Sequence, residues 1–126
     1  MVDGPNPLFT RFVTEERHFR TSDGIVKWSA FMPDGAGETS VFQVDIVPEP
    51  SIWEIGIREV ATSKGKPLLG RADVCQNGII TAGLRVEAER SSHPLHANIV
   101  GWPDEKMQQK DKAVQLWQRS QSHRAP

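Results

Sequence analysis

The chain has 126 residues, of which 37% are hydrophobic and 25% charged, and its formal net charge is −1. That composition suits one globular α+β domain over residues 1–126 and gives no global field to draw in nucleic acid or an anionic membrane. The lone cysteine, Cys75, excludes an intramolecular disulfide, and no apolar run approaches the ~18 residues of a membrane-spanning helix.

Residues 1–7 hold Gly4, Pro5 and Pro7 and are expected to form a loose lead-in. The opening MVDGPNPLF has neither the basic nor the apolar region of a secretory signal, so a cytoplasmic location is expected. Residues 8–13 (LFTRFV) fit a short strand or a helical turn, because Phe9, Phe12 and Val13 follow no clean period. A polar run then leads to the turn signal Ser22-Asp23-Gly24. Residues 25–32 (IVKWSAFM) alternate as a strand, with Val26, Trp28, Ala30 and Met32 on one face and Lys27 and Ser29 on the other. Residues 40–47 (SVFQVDIV) read as the next strand, and the two are expected to pair as an antiparallel hairpin.

Ser51 precedes Glu54 at the spacing of a capping box, so a helix is expected over about 51–64, with Trp53, Ile57 and Val60 on its apolar stripe. Residues 67–75 (PLLGRADVC) and 84–90 (LRVEAER) are further strands, the second with Arg85, Glu87 and Glu89 facing out. Between them, residues 76–82 fit a short helix closed by Gly83 or a turn at Asn77-Gly78. Residues 96–100 (HANIV) form the last expected strand. Pro103, Asp104 and Glu105 suit the first turn of a helix over about 103–118, with Met107, Val114 and Trp117 on one stripe. Residues 119–126 hold one apolar side chain besides the terminal proline and are expected to be a disordered basic tail.

Three strands thus carry polar pairs two residues apart: Lys27 with Ser29, Arg71 with Asp73, and His96 with Asn98. A period of two puts each pair on one face. If the faces agree, Lys27, Arg71, Asp73, His96 and Asn98 make a polar wall, with Arg20 at its end. Arginine and lysine suit an anion, and Asp73 beside His96 would suit acid–base work. The histidines of His93-x-x-His96 could ligate zinc with Asp73, Cys75 or Glu87, but Pro94 breaks a helix that would align them and no second cysteine follows, so no metal is expected. No nucleotide-binding or other cofactor motif is present: Gly35-x-Gly37 precedes a strand, not a helix. Cys75 has no nucleophile signature around it. Trp28, Trp53 and Trp117 fall on expected core faces, and Trp102 sits at a strand-to-helix corner.

The stretches RHFRTSDGIVKWSAFMP (17–33), GRAD (70–73) and HANIVGWP (96–103) together resemble a family of small uncharacterised bacterial proteins that share DGxVKxSAFxP, GRAD and HANIxGWP. The resemblance covers roughly residues 17–117. It implies a bacterial source and no substrate, and it encloses Arg20, Lys27, Arg71, Asp73, His96 and Asn98.

The expected fold is α+β: a mostly antiparallel sheet of four or five strands with both main helices on one face and the polar wall on the other. Two functions stay open. The first is a binding or regulatory module that recognises an anionic ligand or a protein partner through Arg20, Lys27, Arg71, His96 and Asn98. The second is a small enzyme that uses His96 and Asp73 on a phosphate-containing substrate.

Overall fold

The structure is a computed structural model and describes residues 6–126, so residues 1–5 of the expected lead-in lie outside the described residues. In chain order the strands are β1 (Leu8–Val13), β2 (Phe19–Arg20), β3 (Ile25–Val26), β4 (Thr39–Gln43), β5 (Gly70–Cys75), β6 (Arg85–Ala88), β7 (His96–Val100) and β8 (Gln121–Arg124). Helix α1 (Glu49–Gly56) runs on through a π-helical turn (Ile57–Ala61) into α2 (Thr62–Lys64); α3 (Gln76–Thr81) and α4 (Lys106–Gln118) follow, and two 3₁₀ turns cover Glu16–His18 and Trp28–Phe31. Six strands form one antiparallel sheet in the order β6-β7-β4-β1-β5-β8, and β2 pairs with β3 apart from it. The fold is therefore α+β and mostly antiparallel, with more strands than the four or five expected.

Strand β1 shows why LFTRFV has no clean period. It lies in the middle of the sheet, and both its faces are covered. Phe9 and Val13 join Val41, Val74, Ile99, Ile79, Ala113 and Leu116 in the larger core, under α3 and α4. Phe12 points the other way and packs with Phe42, Val44 and Ile52 of α1 in a second core. A strand buried on both faces need not alternate apolar with polar. The two main helices consequently lie on opposite faces of the sheet, not on one: α1 covers Phe12 and Phe42, and α4 covers Phe9 and Val13.

Residues 25–32 do not form one long strand. After Val26 the chain coils into the 3₁₀ turn, which buries the consecutive side chains Ala30 and Phe31. Side chains from distant parts of the chain take carbonyls in and just before the turn. Trp117 Nε1 donates to Val26 O at 2.7 Å, Arg11 Nε to Ala30 O at 2.8 Å and Thr39 Oγ1 to Phe31 O at 2.9 Å. The expected hairpin is likewise absent, since β4 pairs with β1 and β7. The first main helix begins at Glu49 with Pro50 in its opening turn, so the Ser51–Glu54 capping box is not used. The last begins at Lys106, because the Pro103 carbonyl is taken by the Gln109 side chain at 2.8 Å.

Residues 119–126 are not a disordered tail. They hold β8, which pairs with β5 from Gly70↔Arg124 to Asp73↔Gln121. Composition hides this strand because backbone pairing and polar contacts hold it, not apolar burial. Ser122 Oγ accepts the Val26 amide at 2.9 Å, and Ala125 N donates to Leu69 O at 3.0 Å.

Candidate functional site

Register decides which polar residues share a face. Pairing carries one face through His96, Phe42, Thr10 and Asp73 in successive strands, and Asn98, Ser40, Phe12 and Arg71 lie on that same face. Arg71, Asp73, His96 and Asn98 therefore do line one side of the sheet, the side that α1 covers. They do not converge. His96 and Asp73 stand three strands apart, about 14 Å at ~4.8 Å per strand, with Phe42 and Thr10 between them. The expected acid–base pair is thus not formed. Lys27 and Arg20 are off the sheet face altogether. Lys27 is exposed ahead of the 3₁₀ turn, and Arg20 sits on β2, ion-paired with Asp23 at 2.7 Å.

Arg71 is committed within the protein. Its side chain is 3% exposed. It meets Glu49 through both terminal nitrogens (3.2 and 3.1 Å) and Asp73 through Nε at 3.1 Å, and its guanidinium lies 4.6 Å over the Trp53 ring. Burial works against its charge, but the hydrogen bonds it donates to Glu49 and Asp73 raise its pKa overall. His123 of β8 completes the group, 3.2 Å from Asp73 Oδ2. This cluster ties α1, β5 and β8 together and leaves little of the guanidinium for a ligand.

A buried cation with capacity to spare is Arg11, which sequence reasoning missed. Strands β1 and β4 pair only at Phe9↔Gln43 and Thr10↔Phe42, then part. The Arg11 side chain fills the gap and takes Ser40 O at 3.0 Å, a carbonyl that the ladder has left free, as well as Ala30 O. Both acceptors are neutral, and among the described residues no carboxylate is in ion-pair contact with it. Burial lowers its pKa, while the charge of Asp34 pulls the other way. A cleft of about 720 Å³ opens at this parting, with Arg11, His18, Ser29, Ser40, Lys64 and Lys106 and the carboxylates Glu15, Asp34, Glu38 and Glu59 among its polar lining. His18 Nδ1 and Ser29 Oγ are 2.8 Å apart, and burial, then Arg17 and Arg11, lower the His18 pKa. The one available signal was an arginine inside an apolar run.

On the other side of the parting strand β4, Ser40 Oγ and His96 Nε2 are 2.7 Å apart. His96 Nδ1 lies 2.9 Å from the backbone O of Glu89 and 3.2 Å from its Oε2. His93 and His96 both set their rings edge-on to Phe42, and His93 Nδ1 accepts the Leu95 amide. The two histidines share Phe42 but differ in their hydrogen-bond partners, and among the described residues no group of three or more His, Cys, Asp or Glu side chains is arranged to hold a metal. Cys75 is a free, half-buried thiol at the end of β5. Trp102 Nε1 donates to Ile99 O at 3.0 Å and packs on the larger core, so it closes the strand-to-helix corner.

Comparison with protein-family models, with curated proteins and with solved structures finds no match for this chain.

Proposed function

We propose that the protein is a binding module that takes an anionic small molecule in the cleft between β1 and β4, with Arg11 as its fixed cation. The observation that carries this is Arg11's set of partners. A guanidinium has more N–H donors than two carbonyls use, and a partly buried cation that no carboxylate contacts is costly unless a counter-charge is supplied. Arg20, Arg71 and Arg85 each already have a carboxylate. Arg11 has two neutral oxygens and an open cleft. The anion takes the remaining guanidinium edge, with Ser29 and the flanking lysines as further donors. This moves the ligand site away from Arg71, which was expected from the sequence to hold it.

A cytoplasmic location in a bacterium remains part of this proposal; among the described residues no helix is long and apolar enough to cross a membrane. The test is a thermal-shift screen over inorganic phosphate, nucleotides and small carboxylates, with Arg11→Gln and the exposed Arg85→Gln as the pair of variants. A rise in Tm that Arg11→Gln abolishes and Arg85→Gln keeps is the expected result. A rise that survives Arg11→Gln, or no rise with any anion, overturns the reading.

A further inference from the structure

Ser40, His96 and Glu89 stand in the order nucleophile, base and orienting carboxylate. The backbone oxygen of Glu89 can only accept, so at 2.9 Å it requires that His96 Nδ1 carry the proton. In the neutral ring His96 Nε2 is then the acceptor, and the Ser40 hydroxyl, 2.7 Å away, donates to it. The tautomer is thus set by the fold. The Glu89 carboxylate, 3.2 Å from the same Nδ1, is placed to stabilise an imidazolium when one forms. Ser91 holds that carboxylate in turn, through its backbone amide at 3.1 Å and through its hydroxyl. These hydrogen bonds from Ser91 lower the Glu89 pKa, which keeps it ionised at neutral pH.

The surroundings suit this order. Register makes Ser40 and His96 diagonal neighbours on one face of the β4–β7 pair, and Phe42 packs edge-on to the imidazole at 5.2 Å. The histidine is nearly enclosed, with its side chain 12% exposed, whereas Ser40 is half-buried and lines the cleft. Arg11 Nη1 is bonded to the carbonyl of Ser40, and both residues line the cleft, although their side chains leave the sheet on opposite faces.

We propose that Ser40 is the nucleophile of an acyl-transfer reaction on an ester that carries an anionic group. The proposal rests on the anion-binding role of Arg11 given above. Ser40 Oγ bonds to the ester carbonyl carbon as its proton passes to His96 Nε2. The bond from that carbon to the alcohol oxygen breaks, and the alcohol leaves with the proton from His96. Water then adds to the acyl-Ser40 carbonyl and gives a proton to His96. The Ser40 oxygen departs, takes that proton back, and a carboxylic acid is released. The net change is ester plus water to acid plus alcohol. Ser40 and His96 are the reacting groups, and Glu89 is a positioning residue.

The experiment uses the full chain, a fluorophosphonate probe and p-nitrophenyl acetate. The expected result is a probe adduct on Ser40 by peptide mass spectrometry, absent in Ser40→Ala and formed roughly a hundredfold more slowly in His96→Gln. Circular dichroism checks that each variant is folded. Should His96→Gln not fold, Glu89→Gln replaces it: it retains the backbone contact to Nδ1, so it should lower kcat for p-nitrophenyl acetate and leave KM unchanged. Absence of an adduct on Ser40 in the folded protein overturns the proposal, as does labelling that neither His96→Gln nor Glu89→Gln slows. Phosphate binding is read in parallel on Ser40→Ala. A thermal shift with phosphate and no adduct removes the nucleophile and leaves the Arg11 reading standing. An adduct with no thermal shift removes the Arg11 reading and with it the anionic group of the substrate, and leaves Ser40 as the nucleophile.

Discussion

Arg71→Ala is the sharpest test of how the sheet is held to α1 and β8. The substitution strands Asp73, whose side chain is 8% exposed, with the His123 ring as its remaining side-chain partner. Breaking a buried pair by removing one member costs about 3–5 kcal/mol. The Glu49 half of the network adds little, because that carboxylate is 61% exposed and an exposed pair contributes ~0–1 kcal/mol. Retention of His123 argues for the lower part of the range, about 3–4 kcal/mol. In urea, with a slope of ~1.5 kcal/mol/M, the midpoint should fall by roughly 2 M at unchanged slope. The double variant Arg71→Ala/Asp73→Ala should recover part of that loss, since no buried carboxylate is then left unpaired. A fall under ~1 kcal/mol, or a double variant no more stable than the single one, would refute the reasoning, because the cost could not then lie in the stranded charge.

Three further outcomes are expected. Gly56→Ala sets a Cβ 2.6 Å from the Phe12 ring and 2.8 Å from Leu68 Cδ2; chemical denaturation should show a loss of ~1–3 kcal/mol from overpacking, and a neutral result would mean that α1 can lift off the sheet freely. Deleting residues 119–126 removes β8 and the His123 contact to Asp73; amide hydrogen exchange should accelerate in β5 and in β3, and unchanged protection would show that the edge strand contributes nothing. Unfolded His18 takes a proton near its ordinary 6.5, where the lowered pKa of the folded protein keeps the ring neutral. Its contribution to stability is therefore present above that pH and lost as pH falls below it, so urea midpoints should decline from pH 7 to 5 and His18→Gln should flatten that decline.

What was legible in the sequence tracks how local the deciding forces are. Strand β7 occupies residues 96–100 as read, because Ala97 and Ile99 alternate with His96 and Asn98 and a glycine follows. The same alternation misled at residues 25–32. Apolar residues two apart also suit a turn that buries neighbours in a corner, and the choice fell to Trp117, Arg11 and Thr39, donors from distant parts of the chain. Strand β8 escaped because its segment offers almost no apolar area, and its partner in β5 lies some fifty residues earlier.

The candidate site was half legible for the same reason. A period of two correctly put Arg71 with Asp73 and His96 with Asn98, and both pairs do share a face. It could not order the strands, and strand order separates His96 from Asp73 while bringing Ser40 beside it, 56 positions away in the chain. Burial then reverses the expected roles of the arginines. Arg71 looked like a ligand's partner because it lies beside an aspartate on a strand, yet its carboxylates already occupy it. Arg11 drew no notice in a run of apolar residues. It is nonetheless the guanidinium that the parting of β1 and β4 leaves with neutral partners and an open cleft. A charge whose hydrogen bonds inside a fold all go to carbonyls, with its nearest carboxylate acting only from a distance, is expensive, and that expense is better evidence for an absent counter-ion than any cluster of polar residues whose hydrogen bonds already close on one another.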